Sequence, residues 1–470
     1  MESQQQPGEQ LEFCLNAKPP GGHDATGDGG TGPGAYEGGQ VIPAAEKQRA
    51  LTRDLMERVA SPANLAEAVR RVRRNKGAAG VDGMSTRELR GWFASHWRDL
   101  HSQLSRGAYR PSEVLGVEIP KPGGGMRQLG IPTVLDRVVQ QAVLQVLEPF
   151  LDPTFSTNSF GFRPKRSAHQ ALAQASGHVR EGRCIVVDLD LEKFFDRVNH
   201  DILMERLARR IADRKVLRLI RRFLEAGMMR DGVCIERHEG TPQGGPLSPL
   251  LANLLLDEFD QELERRGHRF CRYADDVQIY VHTHEAGERV LASVTRFLED
   301  RLKLRVNREK SAVAYVEKRQ YLGYRLRSGG RLGIAPKSLN RAQNRIREIT
   351  RRNRGHVTFH AMVAELNNFL SGWLLYFRYA ECKGHLKRLG KWMRRKLRCV
   401  VLKRLKRSHT TVKFLRKLGV PEWRAWILAL SGKGWWRRAG SPGMHEAMSQ
   451  TWFAKHGLID PVSKYLTLRT

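Results

Sequence analysis

The sequence has few cysteines, and none of them forms a closely spaced pair. The six lie at positions 14, 184, 234, 271, 382 and 399, with no Cys-x-x-Cys spacing. Such a set supplies neither the disulfide framework of a small secreted protein nor a cysteine-based zinc site. The chain also lacks an apolar run of about 18 residues and a signal-like start. We therefore expect a soluble protein of the cytoplasm, with no membrane partner.

Acidic residues are scarce relative to basic ones. The chain has 81 Lys and Arg against 49 Asp and Glu, a formal net charge of +32. This imbalance argues against a metabolic enzyme for small neutral substrates and predicts a polyanionic partner bound through counterion release. The length allows roughly two to four domains. Residues 1–45 are rich in Gly, Gln, Pro and Glu without a hydrophobic period, which predicts a disordered leader.

Two adjacent carboxylates, Asp275 and Asp276, lie between strand-like runs at 270–271 and 277–281. This pattern predicts a β-hairpin with the two aspartates at its tip. Two like charges at one turn repel each other, but divalent cations would reverse that effect, since hard oxygen ligands suit Mg²⁺ and two-metal sites serve phosphoryl transfer. Taken alone, the pair is more typical of an ordinary solvated turn than of a metal site.

A second acidic stretch begins as the apolar run 185–187 and ends in carboxylates, the pattern of a buried strand with a charged carboxyl end. Because side chains alternate along a strand, Asp188 and Asp190 lie on one side of it. If this strand pairs beside the hairpin, it brings a third carboxylate to the same site.

The stretch that begins at Asp190, followed by Tyr-Ala-Asp-Asp at 273–276, resembles the group II intron-encoded reverse transcriptase/maturases, of the type that lacks an endonuclease. The resemblance implies an α+β right-hand polymerase with fingers, an antiparallel palm sheet and an all-helical thumb/maturase domain. It also implies two Mg²⁺ ions, replaceable by Mn²⁺, held by Asp190, the Leu191 carbonyl and Asp275, with Asp276 supporting the second ion.

Residues 114–132 predict another β-hairpin, around a proline-triglycine turn, with Lys121 and Arg127 near each other across it. A lysine point charge and an arginine fork can together grip a triphosphate, although an ordinary basic hairpin has the same pattern. The resemblance makes this the fingers hairpin that holds the incoming nucleotide. The block 159–168 also matches the family, which implies that Arg163 faces template or nucleotide, with a structural salt bridge as an equal alternative.

Three more nucleotide contacts follow from the resemblance. Phe195 corresponds to the steric gate that excludes a 2′-hydroxyl, and alternation along a strand would place Phe194 on the opposite face, in the core. Core packing remains the alternative for Phe195 itself. Gln243 would lie against the incoming base and deoxyribose. Lys310 would donate a proton to the leaving pyrophosphate, unless it is an ordinary surface lysine.

Beyond about residue 335 the chain predicts long basic helices. The 25 residues 383–407 hold twelve Lys or Arg and no Asp or Glu, which indicates a phosphate-binding face. This run resembles the thumb/maturase domain, and its candidate nucleic-acid contacts are Lys391, Arg394, Arg395 and Arg398. The tryptophan-rich tail after 409 suits DNA contact. No cysteine follows Cys399, so the cysteine-bearing metal site of the family's nuclease is not expected.

The predicted domains are a leader (1–45), an N-terminal helical extension (46–110), fingers and palm (111–332), a thumb/maturase domain (333–408) and a small basic DNA-binding region (409–470). The implied function is RNA-directed DNA synthesis from an RNA template with a DNA primer and dNTPs, together with binding of a group II intron RNA and a target DNA for splicing and mobility. Through nucleic acid the protein would associate with a bacterial nucleoid. A domesticated enzyme of DNA repair or antiviral defence and a noncatalytic RNA-binding maturase are the alternatives.

Overall fold

The computed structural model describes residues 52–120, 125–230, 233–235, 239–241 and 244–469. The chain divides into two compact units, the first formed by the residues up to Ala171 and by Val187–Val313, the second by Leu172–Val186 and the residues from Ala314 onward. The subdomain boundaries given from the sequence stay a prediction. The predicted leader, Lys121 and Gln243 lie outside the described residues.

Helices of the first half of the chain begin where side chains can cap them. Ser61 accepts a hydrogen bond from the Asn64 amide, and Pro62 follows as the first helical residue. Thr133 caps a longer helix in the same way, through the Asp136 amide. The helices up to residue 301 are α1 Leu55–Ala60, α2 Pro62–Asn75, α3 Leu89–Ser105, α4 Val134–Leu151, α5 Ala168–Arg180, α6 His200–Arg210, α7 Arg214–Glu225, α8 Ser248–Arg265 and α9 His284–Arg301.

The described strands form three sheets. They are β1 Val114–Pro120, β2 Met126–Ile131, β3 Ile185–Leu189, β4 Met228–Arg230, β5 Val233–Ile235, β6 Arg269–Tyr273, β7 Asp276–Val281, β8 Ala312–Tyr315, β9 Tyr324–Leu326 and β10 Leu332–Ile334. The sheets have the orders β2-β1-β4-β5, β6-β7-β3-β8 and β10-β9. The hairpin predicted over 114–132 is confirmed as the antiparallel pair β1 and β2, in which Ile119 lies opposite Arg127.

The sheet β6-β7-β3-β8 carries the acidic residues. Strands β6 and β7 form the predicted hairpin, with Tyr273 opposite Asp276 and with Ala274 and Asp275 as the two loop residues. Strand β3 lies directly beside β7, as expected for the third carboxylate. Buried apolar side chains such as Val187, and the apolar length of α8, form the core around this sheet.

The chain after residue 335 is helical, as predicted. These helices are α10 Pro336–Ile349, α11 Phe359–Tyr376, α12 Lys383–Leu405, α13 Ser408–Lys417, α14 Glu422–Leu430, α15 Trp435–Arg438, α16 Pro442–Ala447, α17 Gln450–Lys455 and α18 Pro461–Thr467. None of the helices in the described part of the chain has both the length and the apolar character that crossing a bilayer requires. Together with the sheets, they make the α+β architecture expected from the sequence.

Candidate active site

A buried arginine supports the turn that carries Asp275 and Asp276. The side chain of Arg272 is inaccessible to solvent and donates to both carboxylate oxygens of Asp260, with distances of 2.8 Å and 2.9 Å from Nε. Its Nη1 atom donates to the Asn253 side-chain oxygen at 2.9 Å and to the Ala274 carbonyl at 3.0 Å. The arginine therefore connects helix α8 to the backbone of the acidic turn.

The turn itself has a backbone conformation that needs support. Ala274 has a φ of 58°, in the left-handed region that costs a non-glycine residue about 1–2 kcal/mol. The backbone of Gly161 presses against it, because a Cβ added at Gly161 would lie 2.3 Å from the Ala274 nitrogen. Asn253 also donates to the Gly161 carbonyl at 2.9 Å. Strain held by surrounding contacts is common where a loop presents functional groups.

A chain of side-chain hydrogen bonds joins β3 to β7. The Tyr280 hydroxyl donates to the Gln278 side chain at 2.9 Å, and Gln278 donates to Asp188 at 3.1 Å. Burial raises the pKa of Tyr280 well above its ordinary value, so this hydroxyl stays protonated and a donor. Asp190 lies two residues beyond Asp188, and Asp276 two residues before Gln278. Asp276 therefore begins β7, and Asp190 directly follows β3, two strands that are fixed against each other.

Asp190 is held by its backbone and paired through its side chain. Its amide donates to the Ser311 hydroxyl at 3.0 Å, and its carbonyl accepts from the Asn307 amide at 2.8 Å. Its carboxylate lies 3.3 Å from the Lys310 ammonium, and both side chains are partly exposed. The structure thus brings two of the predicted site residues, Asp190 and Lys310, into direct contact.

The backbone next to Asp190 is suited to leave one carbonyl available. Leu191 bridges Val306 in antiparallel fashion, and the flanking bonds run from the Asn307 amide to Asp190 and from the Glu192 amide to Arg305. Residues between two such bonds form a non-hydrogen-bonded pair, so their own N–H and C=O groups point away from the partner strand. This geometry is compatible with the predicted ligand role of the Leu191 carbonyl.

Phe195 lies in a different local structure from the one expected. Phe194–Asp196 form a turn of 3-10 helix, so the argument from strand alternation was wrong. A 3-10 helix turns its side chains by about 120° per residue. Phe194 is buried, whereas Phe195 is half-buried and meets its neighbour edge to face at 5.2 Å. The Phe195 carbonyl accepts from the Thr241 amide at 2.6 Å, which places Phe195 beside Thr241. Its role as a gate stays a prediction.

Arg163 does not face an open groove. It is 8% exposed and pairs with the Asp152 carboxylate at 2.7 Å. Its remaining nitrogens donate to the backbone carbonyls of Ser156, Ser159 and Asp152. Of the two roles expected from the sequence, Arg163 therefore has the structural salt bridge, because its guanidinium already has hydrogen-bond partners within the folded chain. The side chain of Arg127 is among those that the structure leaves undescribed.

Of the four candidate nucleic-acid contacts on the basic helix α12, three bind other groups of the folded chain. Arg398 is 3% exposed and donates twice to the Met448 carbonyl, at 3.1 Å and 2.6 Å, so it is a packing residue and its predicted nucleic-acid contact is corrected. Burial and its arginine neighbours lower its pKa to about 10. Arg394 pairs with Asp460 at 3.3 Å, and Arg395 donates to the Trp436 carbonyl at 2.8 Å. Lys391 is exposed.

The acidic residues fit a divalent cation by donor type. Carboxylate and carbonyl oxygens are the ligands that Mg²⁺ prefers, and Asp190, Leu191 and Asp275 supply them from neighbouring segments. Within the described part of the chain, however, no three His, Cys, Asp or Glu side chains already converge in a ready metal site. The Lys310 ammonium balances the charge of Asp190 instead.

Residues missed from the sequence are Arg272, Asp260 and Asn253. Arg272 between Cys271 and Tyr273 in strand β6, and polar residues within the apolar helix α8, were signals that could have identified them. A strand hairpin tipped with aspartates, a neighbouring acidic strand and supporting helices define the palm of a template-directed nucleic-acid polymerase.

Comparison with known families identifies the kind of polymerase. Residues 119–326 match the family model for reverse transcriptase (RNA-dependent DNA polymerase), and residues 339–419 match the group II intron maturase-specific domain. Protein YkfC of Escherichia coli (strain K12) is 35% identical over 315 residues, which cover 58% of this chain and 82% of YkfC. The chain belongs to the group II intron-encoded reverse transcriptase/maturases, an RNA-directed DNA polymerase family that depends on divalent metal ions.

Two longer relatives share only part of their length with this chain. The group II intron-encoded protein LtrA of Lactococcus lactis subsp. cremoris is 34% identical over 253 residues, or 53% of this chain and 41% of LtrA. The putative COX1/OXI3 intron 1 protein of Saccharomyces cerevisiae is 30% identical over 229 residues, or 48% of this chain and 27% of the yeast protein. The chain thus spans less than half the length of these two relatives.

Proposed function

We propose that the chain copies RNA into DNA at the site built from Asp190, Asp275 and Asp276, and that it also binds a group II intron RNA and assists its splicing and mobility. The observation that carries the first part is the supported acidic turn beside β3, with Asp190 already in contact with Lys310. A noncatalytic maturase would need none of these carboxylates, nor the buried arginine behind them.

In this proposal Asp190, the Leu191 carbonyl and Asp275 would hold two Mg²⁺ ions, with Asp276 supporting the second. When bound, the ions supply charge stabilisation for in-line attack on a triphosphate. The chain's own groups orient the reactants: Lys121, Arg127 and Gln243 contact the dNTP, and the ring of Phe195 limits the space around its sugar.

Lys310 has a proposed role in proton transfer. Its ammonium is mostly exposed and lies 3.3 Å from Asp190, within reach of a group that approaches that carboxylate. Protonation of the leaving pyrophosphate would require the lysine to move away from Asp190. Its exposure leaves it room to do so.

The proposal is tested with Asp275→Asn. We expect this variant to lose Mg²⁺-dependent primer extension on an RNA template while its affinity for RNA stays nearly unchanged, because the amide keeps the size of the side chain and removes its charge. Asp300→Asn, at an exposed position of α9, is the matched control and should extend primers normally. Extension by Asp275→Asn at the unmodified rate would show that the polymerase site lies elsewhere.

The RNA-processing part needs a separate assay. A group II intron precursor RNA should splice faster with the protein than without it at low Mg²⁺, and Asp275→Asn should keep that effect, since the RNA supplies the splicing chemistry. If no group II intron RNA responds, the chain is better explained as a polymerase that works apart from an intron.

A further inference from the structure

The second unit contains a basic cavity. It has a volume of about 810 Å³ and lies among the end of α10, the following loop, helix α12 and Trp436. Five cations line it, namely Arg347, Arg351, Arg352, Lys396 and Lys403, and no Asp or Glu does. Its volume is within the range of roughly 300–1,000 Å³ typical of pockets that bind organic ligands.

Within the described part of the chain, carboxylates leave the five cations of the cavity un-neutralised. Among the described residues, no Asp or Glu forms an ion pair with any of them. By contrast, Arg345, on the same helix as Arg347, pairs with Glu348 at 3.0 Å and with Glu365 at 3.3 Å. The carboxyl end of α10 offers only about half a negative charge. A concentration of positive charge this large without a partner favours an anionic ligand.

Burial and two arginines of the cavity act on the ionisation of Lys396. Its pKa is lowered, mainly by burial and further by Arg347 and Arg352. Burial in turn raises the pKa of Cys399, so the thiol stays neutral and does not offset the cations. An anion that enters the cavity would relieve the repulsion among these side chains.

Aromatic surface accompanies the charge. The Arg395 guanidinium lies 4.2 Å from the ring centroid of Trp436 and donates to its carbonyl, which fixes the position of this residue. Trp436 nevertheless remains 40% exposed. Lys396 lies between Trp436 and the ring of Trp392, at 5.8 Å and 5.6 Å. Cations beside exposed aromatic rings are the usual means of binding unpaired nucleotides.

We propose that this cavity binds a short unpaired segment of RNA, with phosphates against Arg351, Arg352 and Lys403 and a base against Trp436. This inference rests on the proposed function, in which the partner is a structured RNA. It assigns the part of the chain that binds an unpaired segment of that RNA. A base that is already paired in a helix cannot stack on a side chain, whereas loops and bulges can present theirs.

The test uses a labelled single-stranded RNA of 12 nucleotides, a DNA of the same sequence and a 12-base-pair RNA duplex. Arg351→Gln, Arg352→Gln and Lys403→Gln are combined in one variant. We expect its affinity for the single-stranded RNA to fall by at least tenfold, and the slope of log K against log salt to flatten by roughly 2, at about 0.7 per phosphate contact. All three residues are exposed, so the melting temperature should be unchanged.

A matched control removes the same charge elsewhere in the second unit. Lys413→Gln, Lys417→Gln and Lys455→Gln are exposed helix positions outside the cavity, and this triple variant should change the affinity by less than threefold. A third variant, Trp436→Leu, should lose roughly five- to a hundredfold in affinity for the same RNA while keeping its salt slope, because it removes stacking and leaves the cations.

Photo-crosslinking of the RNA through 4-thiouridine should label the peptides that contain Arg351 or Trp436. Equal losses in the two triple variants, or crosslinks only elsewhere, would overturn the cavity as the site. Equal affinity for the DNA, or stronger binding of the duplex, would overturn unpaired RNA as its ligand. Primer extension on a short preformed duplex is measured in parallel with all variants. If wild-type protein binds RNA through the cavity but extends no primer, the polymerase proposal fails and the cavity stands.

Discussion

Replacing Arg272 tests whether the acidic turn depends on the buried arginine behind it. The guanidinium makes hydrogen bonds to Asp260, Asn253 and the Ala274 carbonyl and is inaccessible to solvent. In Arg272→Met the apolar volume is approximately kept, but the Asp260 carboxylate stays buried without its cation. Loss of one partner from a buried ion pair destabilises a protein by about 3–5 kcal/mol, and we expect a loss of that size in the free energy of unfolding.

The same change should also slow polymerisation for a separate reason. The Ala274 carbonyl loses its bond to a charged donor, worth about 1.5–3 kcal/mol, and the left-handed conformation of Ala274 loses support. If that energy holds Asp275 in position during the reaction, kcat should fall roughly ten- to a hundredfold. The double variant Arg272→Met/Asp260→Leu separates the two effects. It removes both charges, so most of the stability should return, whereas kcat should not.

The stability loss of the single variant should depend on pH. Burial raises the pKa of Asp260, and Arg272 opposes that effect, so without the arginine the folded-state pKa rises further above the unfolded value. In the variant, the folded state therefore keeps a proton on Asp260 at pH values where the unfolded state has lost it. The stability of the variant is retained at low pH and is lost as the pH rises through the folded-state pKa of Asp260. The deficit measured by denaturant unfolding should therefore be smaller at pH 5 than at pH 8.

Arg296→Met, at an exposed position of α9, is the matched control and should change neither stability nor kcat. Two results would refute the reasoning. A double variant that stays as unstable as the single one would mean that the ion pair is not the source of the loss. A double variant with the kcat of the unmodified protein would mean that the bond to Ala274 does not position the turn.

Three further outcomes are expected. Phe195→Ala should increase incorporation of ribonucleotides relative to deoxynucleotides in single-turnover extension, because it opens space beside the sugar; an unchanged ratio would make the ring a packing residue. Lys310→Met should lower kcat by roughly 10²–10⁴-fold as a lost general acid with little change in KM for dNTP, and a pure KM effect would exclude proton donation. Arg398→Met should cost about 1–3 kcal/mol in the free energy of unfolding, because the Met448 carbonyl loses its donors, while RNA affinity stays within twofold; an RNA-binding loss at unchanged stability would contradict its packing role.

The sequence was sufficient for features that depend on local patterns. Alternating apolar residues around two aspartates predicted the β6–β7 hairpin, and the apolar run before Asp190 predicted β3 beside it. A single-sign charge run predicted the basic helix α12. These inferences succeeded because strand periodicity, turn composition and capping act over a few residues, so neighbours along the chain determine them.

Only the tertiary structure decided which of the charged side chains are available to a ligand. Arg163 and Arg398 carry the same charge as any surface arginine in the sequence. In the fold, however, Arg163 pairs with Asp152 and nearby backbone carbonyls, and Arg398 donates to the Met448 carbonyl, 50 residues along the chain. The support of the acidic turn by Arg272 and the gathering of five cations in one cavity with Trp436 are likewise invisible in the one-dimensional pattern. Burial and pairing depend on which segments the fold brings within about 3–4 Å, the range over which hydrogen bonds and ion pairs act, and periodicity carries no information about contacts between distant segments.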